Sequence, residues 1–224
     1  MSDNTHFYGF RWAYNANGKD MPKPELMDVG SGVNFTVSGN ATNLNLNVGD
    51  PVALLSTGFI TLAGGNENGQ TSQAAWGVVV GMGPVGFFNG TRMVRQSFLQ
   101  SGCTYTAGNV DRISQVLVVP FSAGMWEIDV DDNTTATTQA GYQAFVGENC
   151  DHQLVPNAQG FVNAQLAANP VLNIASHAAA TTTLSMRIRG ISKNFANQDF
   201  SGKFVKLIVS VNKGQENYFT SAGI

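Results

Sequence analysis

From Val29 onward, apolar and polar positions alternate with a period of two, in short runs cut by Gly, Asn and Pro. That is the pattern of a strand with one buried face. Val-Asn-Phe-Thr-Val at 33–37 and Leu-Asn-Leu-Asn-Val at 44–48 show it most clearly. Further strands are predicted at 52–55, 59–62, 76–82, 93–99, 115–119, 125–130, 142–146, 184–191 and 204–211. This spacing suits a sandwich or a barrel. Helix signals are thin: 134–142 is rich in Thr, and 161–168 offers one or two turns before Asn169-Pro170. The expected fold is all-β, an antiparallel barrel or sandwich over 29–211, built as one body or as two lobes, 29–112 and 113–211. Strand order stays open, because alternation fixes faces and not neighbours.

The first 28 residues lie outside this pattern. Phe7, Tyr8, Phe10, Trp12 and Tyr14 crowd one short segment, and Pro22 and Pro24 then favour an extended linker over a helix. Such a segment either packs on the protein's own body or forms an arm that docks on a neighbouring subunit, where Tyr, Trp and Phe are favoured anchors. The C-terminal tail, 212–224, carries a second aromatic pair, Tyr218 and Phe219. These seven residues are the candidate subunit contacts.

The chain also echoes itself. Val48-Gly49-Asp50 is followed by Gly58-Phe59-Ile60 and later by Gly77-Val78-Val79; Val146-Gly147-Glu148 is followed by Gly160-Phe161-Val162 and later by Gly190-Ile191. The gaps differ between the copies, so the echo is read either as a duplication or as two hairpins obeying the same turn chemistry.

Composition narrows the function classes. Only 12% of the 224 residues are charged, against 43% hydrophobic, with 25 Gly. A disordered chain would carry more charge and fewer apolar residues. No run approaches 18 apolar residues, so no membrane-spanning helix is predicted. Residues 1–10 lack the features of a secretory signal. Free thiols are therefore expected at Cys103 and Cys150. A net charge of −3 argues against nucleic acid as a main partner. Residues 113–186 hold six acids and no Lys or Arg, while 187–224 hold six bases and two acids. These opposite regions neutralise each other within the fold or across a contact between copies.

Candidate chemistry is sparse. Gly81-Met-Gly-Pro-Val-Gly86 matches a dinucleotide fingerprint, but Phe87-Phe88-Asn89-Gly90 reads as a turn where a helix is needed. Asp129-Val-Asp-Asp-Asn133 starts like a calcium loop, yet Thr134 and Ala140 stand where Gly and Glu are required; a polar turn or a weak surface calcium site are the two readings. Cys150-Asp151-His152 sets thiol, carboxylate and imidazole side by side, but strand neighbours point to opposite faces. His6, His152 and His177 have no metal-pair spacing, Ser122 lacks a nucleophile elbow, and the four Asn-x-Thr sequons have no secretory context. No catalytic, cofactor or metal residue is assigned, and no enzyme activity is expected.

Val48-Gly-Asp-Pro-Val-Ala-Leu54, then Gly58-Phe-Ile-Thr-Leu-Ala63, then Trp76-Gly-Val-Val-Val80 resembles the grammar of tailed-bacteriophage capsid cement, or decoration, proteins: a Val-Gly-Asp strand start, a Gly-led hairpin and a closing Gly-Val-Val strand. Residues 116–130 and 140–149 are similar to the second half of some phage structural proteins. The resemblance implies a non-enzymatic virion protein, made in the host cytoplasm, that binds the major capsid protein on the outer shell, commonly as a homotrimer, without a cofactor, nucleic acid or membrane. The rival expectation is a glycan- or receptor-binding sandwich of a phage tail or fibre, with Trp12, Trp76 or Trp126 as a stacking platform.

Overall fold

The alternating runs become strands in a computed structural model that describes residues 9–14, 20–29, 46–56, 58–63, 75–83, 86–88, 91–93, 98–99, 115–131, 134–154, 170–178, 181–194, 197 and 199–212. The chain divides into two units. Unit 1 comprises Met1–Met21, Phe121–Gln153 and Pro170–Ile224; unit 2 comprises Pro22–Pro120 and Leu154–Asn169. Both units are discontinuous in sequence. The fold is all-β with antiparallel sheets, and α1 (Gln139–Ala144) is the one α-helix among the described residues.

In unit 2, β2 (Glu25–Asp28), β4 (Pro51–Leu54), β5 (Ile60–Leu62), β6 (Gly77–Met82) and β10 (Gln115–Pro120) form a sheet of order β2-β10-β6-β4-β5. Val29, just beyond β2, makes a parallel bridge to Ile60 on β5. The two edges of the sheet therefore touch at one point, the geometry of a small, partly open barrel. Its core holds Val29, Val52, Ile60, Leu62, Trp76, Val79, Val116 and Val118. Two minor pairs complete the unit: β3 (Leu46–Asn47) with β9 (Phe98–Leu99), and β7 (Gly86–Phe88) with β8 (Thr91–Met93).

Unit 1 repeats this plan. Strands β11 (Met125–Asp129), β12 (Asn149–Leu154), β13 (Pro170–Ala178), β14 (Met186–Ile191) and β15 (Lys206–Val211) run in the order β11-β15-β14-β12-β13, and Val130 makes the parallel bridge to Leu172. The registers coincide. Pro51 faces Val78 as Asn149 faces Arg187, and Val52 faces Gly77 as Cys150 faces Met186. Both central strands carry a bulge at the same place: β6 passes from Val79 to Gly81 against Val118 and Leu117, and β14 from Ile188 to Gly190 against Val209 and Ile208. Equivalent positions are buried in both units, as in Val29 and Val130, Val52 and Cys150, Ile60 and Leu172, Val79 and Ile188, Val116 and Leu207, Val118 and Val209. The echo is thus one architecture built twice. Its glycines pair as Gly49 with Gly147 and Gly81 with Gly190, whereas the sequence reading set Gly77 beside Gly190.

Several expectations need correction. Residues 142–146, read as a strand, lie in α1 and the turn after it. Thr138 caps α1 by accepting a hydrogen bond from the Gly141 amide at 3.1 Å, and Tyr142 meets Phe145 one helical turn on, at 6.4 Å between rings. β12 and β13 were missed because polar side chains sit in them. The predicted strand at 33–37, the helical turns at 161–168 and Cys103 lie outside the described residues.

The aromatic segment is no free arm over its described part. β1 (Arg11–Tyr14) pairs antiparallel with β11, adding a sixth strand to the sheet of unit 1, and β2, expected in the linker, is a strand of unit 2. Phe10 is 2% exposed and meets Phe121 edge to face at 4.8 Å. Burying a large apolar ring inside its own unit stabilises that unit by a few kcal/mol, which outweighs keeping it exposed for a neighbour.

Candidate functional site

The strand-start turn that carries the resemblance has a definite construction. In unit 2 the Gly49 amide donates to Val79 O (2.8 Å), the Val79 amide to Asp50 O (3.0 Å) and the Asp50 amide to Asn47 O (3.2 Å). In unit 1 the Gly147 amide donates to Ile188 O (2.9 Å), the Ile188 amide to Glu148 O (2.9 Å) and the Glu148 amide to Phe145 O (3.0 Å). Both glycines are left-handed, with φ of 99° and 100°, where a side chain would be strained. The acid after the glycine differs in its surroundings. Asp50 is buried and accepts the Asn47 amide at 2.7 Å; burial outweighs the Asn47 hydrogen bonds and its pKa is raised to about 7. Glu148 instead meets His177 Nδ1 at 2.6 Å, and the His177 ring packs 4.3 Å from that of Phe145.

The chemically richest place in unit 1 is a cleft of about 790 Å³ between β1 and the segment after β14, lined by Trp12, Tyr14, Glu127, Ser192, Lys193 and Asn194 among others. Glu127, 8% exposed, is one of its lining residues. Arg11 and Ser192 donate to its carboxylate, as does Asn194 Nδ2 at 3.3 Å. Burial raises its pKa, but the hydrogen bonds from Ser192 and Arg11 and the guanidinium charge prevail, so the carboxyl titrates below its ordinary value. Such a carboxylate is a fixed anchor for β1; it is a poor proton donor near neutrality. Trp12 meets Trp126 edge to face at 5.3 Å, and Tyr14 is 48% exposed at the rim.

Of the candidate contact residues, Phe10 is in the core, Trp12 and Tyr14 line this cleft, and Phe7, Tyr8, Tyr218 and Phe219 lie outside the described residues. The Glu127 cluster was missed by sequence reasoning because Arg11 and Ser192 come from opposite ends of the chain, and nothing in local spacing joins them.

The other sequence motifs serve structure. Gly81 lies in β6, Gly83 just beyond its end, and Gly86 opens β7, so the motif's described residues sit in and beside strands. Asp129 lies 3.4 Å from the Lys206 ammonium, and Asp131 accepts from the Ile174 amide (3.1 Å) and Gln153 Nε2 (2.9 Å). Those carboxylates are thus engaged inside the unit; Asp132 and Asn133 lie outside the described residues. The Asp129–Lys206 pair joins one acid of the acidic region to one base of the basic region within the unit. Cys150 is a free, buried thiol whose pKa is pushed well up by burial and by Asp151, Asp131 and Glu148. His152 is 1% exposed and shares a 3.0 Å hydrogen bond with Ser185 Oγ; Asp151 accepts the Ser185 amide at 2.8 Å. That trio holds β12 to the loop before β14. Among the described residues no group of three or more His, Cys, Asp or Glu is placed to hold a metal ion, and no helix is long and apolar enough to cross a membrane.

Comparison with protein-family models, with curated proteins and with solved structures returned no significant match.

Proposed function

We propose that this is a structural virion protein that binds the outer surface of a phage capsid lattice and braces it, acting by adhesion with no bond made or broken. The observation that carries the reading is the doubled Val-Gly-acid turn and the barrel it opens. The residues on which the resemblance to capsid decoration proteins rests thus belong to a unit that the chain builds twice. Two like adhesive units on one chain multiply a modest contact, and a lattice multiplies it again. Buried acids of unit 1 are engaged in internal bonds that stiffen it, Glu127 with Arg11 and Asp129 with Lys206. The partner in this reading is the major capsid protein, the assembly a homotrimer, and the place the capsid surface after synthesis in the host cytoplasm.

Quantitative mass spectrometry of purified virions tests it. Copy numbers on the order of hundreds, in simple ratio to the main shell protein, are expected for a lattice protein. A few copies would assign the chain to a tail or fibre, and absence from particles would end the reading. The cleft beside Glu127 favours the second reading, a glycan-binding module, because an exposed Tyr14 and the Trp12 ring border Lys193 and Asn194. A glycan array that detects binding by the native chain and not by Trp12→Ala would establish it.

A further inference from the structure

The two units differ at one edge. In unit 1 the outer side of β11 is covered by β1, with Arg11 opposite Glu127 and Trp12 opposite Trp126. The equivalent strand of unit 2 is β2, and it ends its sheet: among the described residues no strand lies on its outer side. Barrel closure does not use it either, since the bridge to β5 is made one residue later, by Val29. Glu25, Leu26 and Asp28 are exposed, Leu26 to 47%. An open edge with an exposed leucine is a template for an added strand unless something protects it.

From this difference we infer that the outer edge of β2 docks an extended segment of a partner protein, added antiparallel as β1 is to β11, with an apolar pair flanked by cations. The chemistry follows from the register. By the matched pairings Glu25, Leu26, Met27 and Asp28 stand where unit 1 has Trp126, Glu127, Ile128 and Asp129. Asp129 has the Lys206 ammonium beside it on the neighbouring strand, whereas Asp28 has Gln115, whose Nε2 donates at 2.9 Å and brings no charge. A cation opposite Asp28 supplies the charge that Lys206 brings to Asp129, and a second cation opposite Glu25 pairs with that exposed carboxylate; cross-strand pairs of opposite sign stabilise a sheet. Leu26 and the partly buried Met27 call for apolar partners between them. A second copy offering its own β2 would set Glu25 against Asp28, like charges directly opposed. Addition of a strand to a sheet edge is a general mode of peptide recognition. The inference stands apart from the capsid reading and would survive its failure.

The test uses the full chain, labelled with nitrogen-15, and the peptide Ser-Lys-Phe-Val-Lys-Ser. Titration should shift the amides of residues 25–28, and Ser-Glu-Phe-Val-Glu-Ser should bind at least tenfold more weakly. The double variant Glu25→Lys, Asp28→Lys should reverse that preference, while Glu25→Gln with Asp28→Asn, which removes both charges and keeps the side-chain shapes, should bind both peptides alike. Shifts confined to other residues, no shifts at all, equal binding of the two peptides by the native chain, or self-association abolished by these variants would each overturn the inference.

Discussion

Gly49 and Gly147 hold the same turn in different units, each left-handed at a φ near 100° and each donating its amide to the central strand of its barrel. Adding a Cβ at either place forces a conformation that costs about 1–3 kcal/mol. Gly49→Ala should lower stability by that amount and raise hydrogen exchange in β4 and β6, and Gly147→Ala should do so in β12 and β14. Exchange that rises in all four strands for either variant would mean that the units do not unfold separately.

Asp50 makes stability depend on pH. Its pKa is raised to about 7 in the folded chain, so folding favours the protonated form. The stabilising contribution is full below the unfolded pKa, near 4, and is lost as pH rises through about 7. Ionising Asp50 in place costs on the order of 4 kcal/mol, at three pKa units of about 1.4 kcal/mol each. Asp50→Asn keeps an oxygen for the Asn47 amide and removes the charge. In urea titrations the variant should gain on the native chain from pH 5 to pH 8; a constant difference across that range would refute the assignment.

Glu127 has the opposite sign. Its carboxyl is held below the ordinary value, so its contribution is present above the unfolded pKa and lost as pH falls through the lower folded one. Glu127→Gln should cost about 1–2 kcal/mol at pH 7, discounted for its partial exposure, and that difference should shrink under acid conditions. Tryptophan emission should shift as well, because Trp126 and Trp12 flank the bond to Arg11.

Removing residues 1–20 deletes β1 and Phe10 together. A detachable arm would leave unit 1 intact by circular dichroism. With Phe10 against Phe121 and the Arg11–Glu127 pair gone, unit 1 should melt at lower temperature, and Phe10→Ala alone should cost about 3–5 kcal/mol. Unchanged melting would return this segment to the role of an arm.

The strands read at 52–55, 76–82, 115–119 and 125–130 were legible in the sequence as short apolar, β-branched runs between turn residues. Only β10 approaches alternate burial; β4, β6 and β11 each bury three or more consecutive residues. β12 was not legible, because its buried positions include Asn149, Asp151 and His152, each hydrogen-bonded to a partner distant in sequence, Thr181 for Asn149 and Ser185 for the other two. The run from Tyr142 to Val146 misled for the opposite reason: an apparently apolar stretch is taken into helix and turn once Thr138 caps it. The repeat was half legible. The turn chemistry showed at Gly49 and Gly147, but the joining segments differ in length, so only strand registers reveal that Gly81 answers Gly190. The Glu127 cluster left no local trace at all, since Arg11 on β1, Glu127 on β11, and Ser192 and Asn194 after β14 lie far apart in the chain.

The most direct measurement of adhesion through two like units is a cryo-EM map of particles that contain the chain. Repeated density on the outer face of the shell, into which both five-stranded barrels fit, is the predicted result. Density for the chain confined to the tail, or missing from the particle, would contradict it.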